Sequence, residues 1–139
     1  GDGILIGGNY SQEIDTPANK DFLARWQKKF GDTKIVHEIA VSQYQGIKLW
    51  AEAVTKAGSL ERDKLMKVLE SGIGVQGPAG LVKMDAATHH ASLDIRVMEV
   101  KGQKLTIKQE FKQRPPSDTA ASCNLAKNPN ENKQFEVTI

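Results

Sequence analysis

The chain has 139 residues, with nineteen basic and seventeen acidic side chains, a net charge of +2 and 39% hydrophobic residues. Charge so evenly scattered excludes the basic footprint of nucleic-acid binding, and no run of about eighteen apolar residues exists to span a membrane. The length suits one domain with a core of its own, but the first residue is Gly, so the chain reads as a processed protein or a piece of a longer one.

Gly3-Ile4-Leu5-Ile6 is a short apolar run between glycines and reads as a buried strand of the parallel-sheet type. A polar crest follows, then a helix from Pro17 to Phe30 with Thr16 as its cap and Pro17 at its first position. Phe22, Trp26 and Phe30 fall four apart on one face with Leu23 beside them, and Gly31 ends the helix. Ile35 to Ile39 is a brief strand or the lead-in to the next helix. From Val41 the period is helical: Val41, Tyr44, Ile47, Ala51, Val54 and Ala57 form the predicted stripe, Trp50 flanks it, and Gly58 stops it. Ser59 is the expected cap of a third helix carrying Leu60, Leu65, Val68 and Leu69, so the two helices form a helical hairpin.

Gly72, Gly74, Gly77, Pro78 and Gly80 then end helical structure. Leu81 to Met84 reads as a short strand and residues 85–91 as a polar loop. Residues 92–100 alternate Leu93, Ile95 and Val97 with Asp94 and Arg96, Lys101-Gly102-Gln103 turns the chain, and Leu105, Ile107 and Phe111 alternate again. The pattern predicts a β-hairpin with Asp94 and Arg96 on a wet face. The tail after Phe111 is polar and is expected along the surface. A lone apolar strand, three helices and a late hairpin make an incomplete set, as the back end of a longer α/β protein would.

Catalytic signals are weak. Adjacent His89 and His90 in a loop have no further His, Cys or carboxylate at ligand spacing, so loop polarity explains them better than a metal site. There is no nucleophile elbow or phosphate loop, and no cofactor is expected. Cys123, the only cysteine, is either free or paired with a thiol outside this chain. Trp26, Tyr44 and Trp50 sit on helical stripes and are expected in the core. Tyr10 leaves the first strand at its exit, where its hydroxyl could meet a small polar ligand or simply cover the sheet end.

Residues 10–26 (YSQEIDTPANKDFLARW) resemble a segment of type I periplasmic solute-binding proteins, in the branch for urea and short-chain amides related to the branched-chain amino-acid receptors. Residues 44–58 (YQGIKLWAEAVTKAG), 76–82 (QGPAGLV) and 85–90 (DAATHH) match further family stretches in order, so the resemblance runs from about Gly3 to Phe111. Ser11 stands where the family usually has Phe. The resemblance implies the C-terminal part of a two-lobed α/β receptor: residues 1–16 as a strand and interlobe crossing, 17–72 as the helical part of the first lobe, 73–112 as a hairpin returning to the second, and 113–139 as a tail. It implies no enzymatic step, a periplasmic location, ABC permease subunits and the missing N-terminal part as partners, and a small solute (urea, amide or branched-chain amino acid) as ligand. Tyr10 is the first ligand-binding candidate and Tyr44 the second. Cys123 becomes a disulfide candidate whose partner lies in the missing part. An amide-responsive sensor of the same fold is the alternative; an enzyme would rest only on His89, His90 and Cys123.

Overall fold

The computed structural model describes residues 1–32, 35–117 and 124–133. Element order is β1 (Leu5–Gly8), α1 (Pro17–Phe30), α2 (Glu38–Ala57), α3 (Arg62–Glu70), β2 (Gly74–Gly77), β3 (Gly80–Met84), β4 (Ala91–Lys101) and β5 (Lys104–Arg114). This is a mixed α/β arrangement with antiparallel strand pairs, organised around β4. β5 pairs along one side of β4; on the other side β3 takes its first residues, with Met84 opposite Ala91, and β1 takes its second half, with Gly8 opposite Arg96 and Leu5 opposite Glu99. One strand therefore belongs to two ladders. The β4–β5 register slips between Leu93 and Ile95 and again between Val97 and Met98, on either side of Arg96.

The helix signals act as expected at α1. Thr16 Oγ1 accepts from Asn19 N at 3.2 Å, Pro17 opens the helix, and Gly31 closes it at φ 92° with its N–H on Gln27 O. Residues 35–37 are a lead-in rather than a strand: Val36 is buried and His37 Nδ1 caps α2 by accepting from Ile39 N. Gly58 adopts the left-handed conformation that ends α2. Tyr10, Ile14, Phe22, Val36, Val41 and Ala79 form the core cluster, with Leu23, Trp26, Tyr44 and Ile107 packed against it.

Several expectations are corrected. β1 is neither parallel nor buried: it pairs antiparallel with β4 alone, and Ile4, Leu5 and Ile6 are 55, 64 and 40% exposed, because no strand lies on its other side among the described residues. The buried stripe of α2 is Val41, Gln45, Leu49 and Ala53, each four apart, while Ile47 and Trp50 are exposed. The polar Gln45 hid that stripe, since apolar spacing alone selects a rotated one. Phe30 is likewise exposed. α3 starts at Arg62, and Ser59 Oγ accepts from Glu61 N instead of capping the helix. The glycine stretch contains a strand, β2, paired with β3.

The largest reversal is on β4. Asp94, Arg96 and Met98 face inward and are buried, whereas Leu93, Ile95 and Val97 are only half-buried. Charges tolerate that face because each has partners there, as the site geometry below makes plain.

Candidate functional site

The first passage, residues 9–16, leads from the end of β1 to α1, and the second is β4 itself, which runs from its pairing with β3 into its pairing with β1, where Gly8 stands opposite Arg96. The first passage is fixed by its own polar groups. Asn19, fully buried on α1, donates through Nδ2 to Gln12 O at 3.1 Å and Ile14 O at 2.8 Å, and its Oδ1 accepts from Tyr10 Oη at 3.0 Å. Gln12 Oε1 accepts from Val36 N at 2.7 Å, and Ser11 Oγ donates to Glu13 Oε2 at 2.9 Å. Burial, with a smaller push from the Glu13 carboxylate, raises the Tyr10 phenol to about 12.

Arg96 ties this passage to the rest. Its Nη1 donates to Asn9 O at 2.5 Å and Ala79 O at 3.0 Å, and its Nη2 meets Glu110 at 2.5 Å with Asp94 at 3.7 Å. Burial pushes the Asp94 carboxyl up, but Gln113 N, the Gln113 side chain and Lys112 outweigh it and hold it below the usual range. Glu110 is lowered chiefly by its bond to Lys112, against burial and with help from Arg96. Arg96 and Asp94 are buried, so removing either costs about 3–5 kcal/mol by leaving a buried group unpaired, whereas Glu110 and Lys112 reach solvent and their removal costs less.

A concavity of about 340 Å³ lies beside the first passage, lined by the apolar Ile6, Met98 and Leu105 and by the polar Tyr10, Ser11, Gln12, Glu13 and Glu38. A lining that mixes apolar side chains with carboxylate and amide oxygens can accept a small solute rich in hydrogen-bond donors. Tyr44 lies elsewhere. It packs on Phe22 with ring centroids 4.9 Å apart, its hydroxyl accepts from Arg25 Nη2 at 3.1 Å, and it lines a separate concavity of about 280 Å³ with Phe22, Arg25 and Trp26. Tyr10 and Tyr44 thus share the core cluster but not a cavity.

Residues 1–104 match the family described as "Periplasmic binding protein". The chain belongs to that family. Among solved structures, it is similar to the solute binding protein of an ABC transporter from Rhodopseudomonas palustris BisB5, in complex with 3,4-dihydroxybenzoic acid. That likeness has a TM-score of 0.74 and 26% identity over 83% of this chain and 32% of that one. It is also similar to the solute binding protein from Rhodopseudomonas palustris HaA2 in complex with p-hydroxybenzoic acid, with a TM-score of 0.70, 31% identity and the same coverage. A curated relative, named "Limonene hydroxylase" from Geobacillus stearothermophilus, is 26% identical over 64% of this chain but only 16% of its own length. The periplasmic-binding-protein chain therefore spans about a third of the length of the solved structures it resembles.

Residues outside the first passage take lesser parts. His89 bonds Glu70 Oε1 at 2.8 Å, and no group of three metal-ligating side chains occurs among the described residues. Among those residues, no helix is long and apolar enough to cross a membrane. Cys123 lies outside the described residues. Arg96, Asn19 and Gln45 were not singled out from the sequence. The only signal was a charge in the middle of an apolar alternation at Arg96, and that signal reads equally as a solvated face.

Proposed function

We propose that this chain is the closing third of a periplasmic receptor that captures a small solute between two lobes and presents it to the membrane subunits of an ABC importer. The observation that carries the reading is that β4 pairs first with β3 and then with β1, so that one strand is shared by two ladders, in a chain that belongs to the periplasmic binding proteins. Residues 1–16 act as a strand and crossing, residues 17–72 as part of one lobe, residues 73–112 as the return to the other, and residues 113–139 as a tail. The missing N-terminal part of the receptor supplies the remaining strands, and the exposed Ile4, Leu5 and Ile6 are the apolar side chains it covers. Cys123 is a disulfide candidate toward that part. The protein does no covalent chemistry: solute binds the closed arrangement better than the open one, and this difference in affinity drives closure.

The solute is small and donor-rich, such as urea, a short-chain amide or a branched-chain amino acid. Support comes from the Glu13 and Glu38 carboxylates among the residues that line the concavity beside Tyr10. Tyr10 serves as its wall, and Tyr44 contributes from the neighbouring aromatic concavity. A second reading, an aromatic carboxylate, is favoured by the two Rhodopseudomonas relatives and by the Phe22, Trp26 and Tyr44 rings beside Arg25.

A thermal-shift panel on the complete protein tests both readings. It contains urea, acetamide, leucine, valine and 4-hydroxybenzoate. A ligand at about 100 times its Kd stabilises by about 2.7 kcal/mol, a shift of several degrees. A rise with an amide or amino acid supports the first reading and a rise with the benzoate the second. A flat response across the panel contradicts both.

A further inference from the structure

We infer that Arg96 is a positioning residue that locks the two interlobe passages and the β2–β3 turn into one rigid unit. Lobe movement would then turn about this point, and the crossing that carries Tyr10 would travel with α2. The inference rests on the two-lobed reading above and goes beyond it by naming the fixed point.

Arg96 is 1% exposed and heads the largest fully buried side chains of the chain. Its guanidinium reaches the exit of β1 through Asn9 O, the β2–β3 turn through Ala79 O and β5 through Glu110. The two carbonyl acceptors share a second feature. Asn9 N donates to Glu38 Oε1 at 2.8 Å and Ala79 N donates to Gln45 Oε1 at 2.8 Å, so both residues are held from the opposite side by α2. Gln45 Nε2 adds a bond to Gly80 O at 3.2 Å. Residues 9 and 79 are therefore each clamped between an α2 side chain and the same guanidinium nitrogen.

The backbone is shaped to permit this approach. A Cβ at Gly80, where φ is 116°, would stand 2.5 Å from Asp94 Oδ2, and one at Gly77 would stand 2.6 Å from Gln45. A planar fork with several fixed donors can satisfy two carbonyls and a carboxylate at once, whereas an ammonium on a flexible stem cannot hold that geometry. Moving residue 9 away from residue 79 would break one of the two carbonyl bonds on Arg96 Nη1. The register slips on either side of Arg96 place the yielding part of β4 next to the fixed point rather than at it.

Hydrogen exchange of the complete protein without solute tests the lock. In Arg96→Lys, the segments around Asn9 and around Ala79 are expected to exchange at least tenfold faster together, with the middle of α1 unchanged. In Met98→Val, a purely apolar loss on the same strand, all segments are expected to accelerate by one common factor. A uniform acceleration in Arg96→Lys, or acceleration of only one of the two segments, overturns the inference. Should Arg96→Lys not fold, Glu110→Ala leaves both carbonyl acceptors in place and removes the carboxylate that holds the other arm of the fork. A smaller paired acceleration at the same two segments supports the lock, and wild-type rates there overturn it. No solute is needed, so failure of the lock and failure of the solute reading are separate results.

Discussion

Tyr10 and Asn19 meet in a buried hydrogen bond of 3.0 Å, the phenol donating to the amide oxygen, and this bond joins the segment after β1 to the first turn of α1. Asn19 spends its whole side chain on that segment, since its Nδ2 also serves the carbonyls of Gln12 and Ile14. Asn19→Ala leaves those three groups without their partner and is expected to cost about 3 kcal/mol, read from urea unfolding. In Asn19→Asp a carboxylate would face two carbonyls, so the loss is expected to be greater at pH 7 than near pH 4, where the protonated acid donates to one of them.

The Tyr10 phenol gives a separate alkaline signature. In the folded state it titrates near 12, above its ordinary value of 10.0. Below pH 10 both states keep the proton; above it the unfolded chain loses the proton first, so stability falls as pH rises from 10 to 12. The total is about 3 kcal/mol for a shift of this size. Tyr10→Phe should abolish that part of the alkaline decline, as monitored by urea unfolding at a series of pH values.

Glycines in this chain divide by what a methyl group would meet. Gly77→Ala would drive a Cβ to 2.6 Å from Gln45 and is expected to lower stability by about 1–3 kcal/mol. Gly46 lies inside α2 with open space around its missing Cβ, so Gly46→Ala is expected to stabilise by about 0.5–1 kcal/mol. Thermal unfolding of the two variants checks the opposite signs.

The sequence carried the elements well where local chemistry decides them. Thr16, Pro17 and Gly31 bound α1, Gly58 ends α2, and Gly102 turns the β4–β5 hairpin. It failed where polar side chains are buried. Gln45 completes the α2 stripe but does not count as apolar, and Asp94 and Arg96 face inward because their partners come from residues 9, 79, 110, 112 and 113, distant in sequence. Tyr10 is legible as the residue leaving the strand, but its bond to Asn19 depends on how residues 10–14 fold back over the start of α1. β1 is bare because, among the described residues, β4 is its one strand partner, and a run of apolar residues does not by itself say how many strands flank it.

Acid should weaken the β4–β5 network. Asp94 and Glu110 titrate below their ordinary values of 3.8 and 4.5 when folded, so the unfolded chain binds protons first on acidification. Their contribution is complete above about pH 5 and is lost as the pH falls through 4.5 and then below 3.8. Urea midpoints measured across pH 3 to 6 should fall toward acid, and Asp94→Asn should flatten that fall.

The claim that this chain is one part of a larger two-lobed receptor is tested most directly at β1, by amide exchange in the complete protein. If absent strands cover its free side, the amides of β1 that point away from β4 will be protected to within about tenfold of those around Gln45 and Leu49 in the middle of α2. Exchange as fast as that of the Gly102 turn would mean that nothing covers this strand, and would contradict the account.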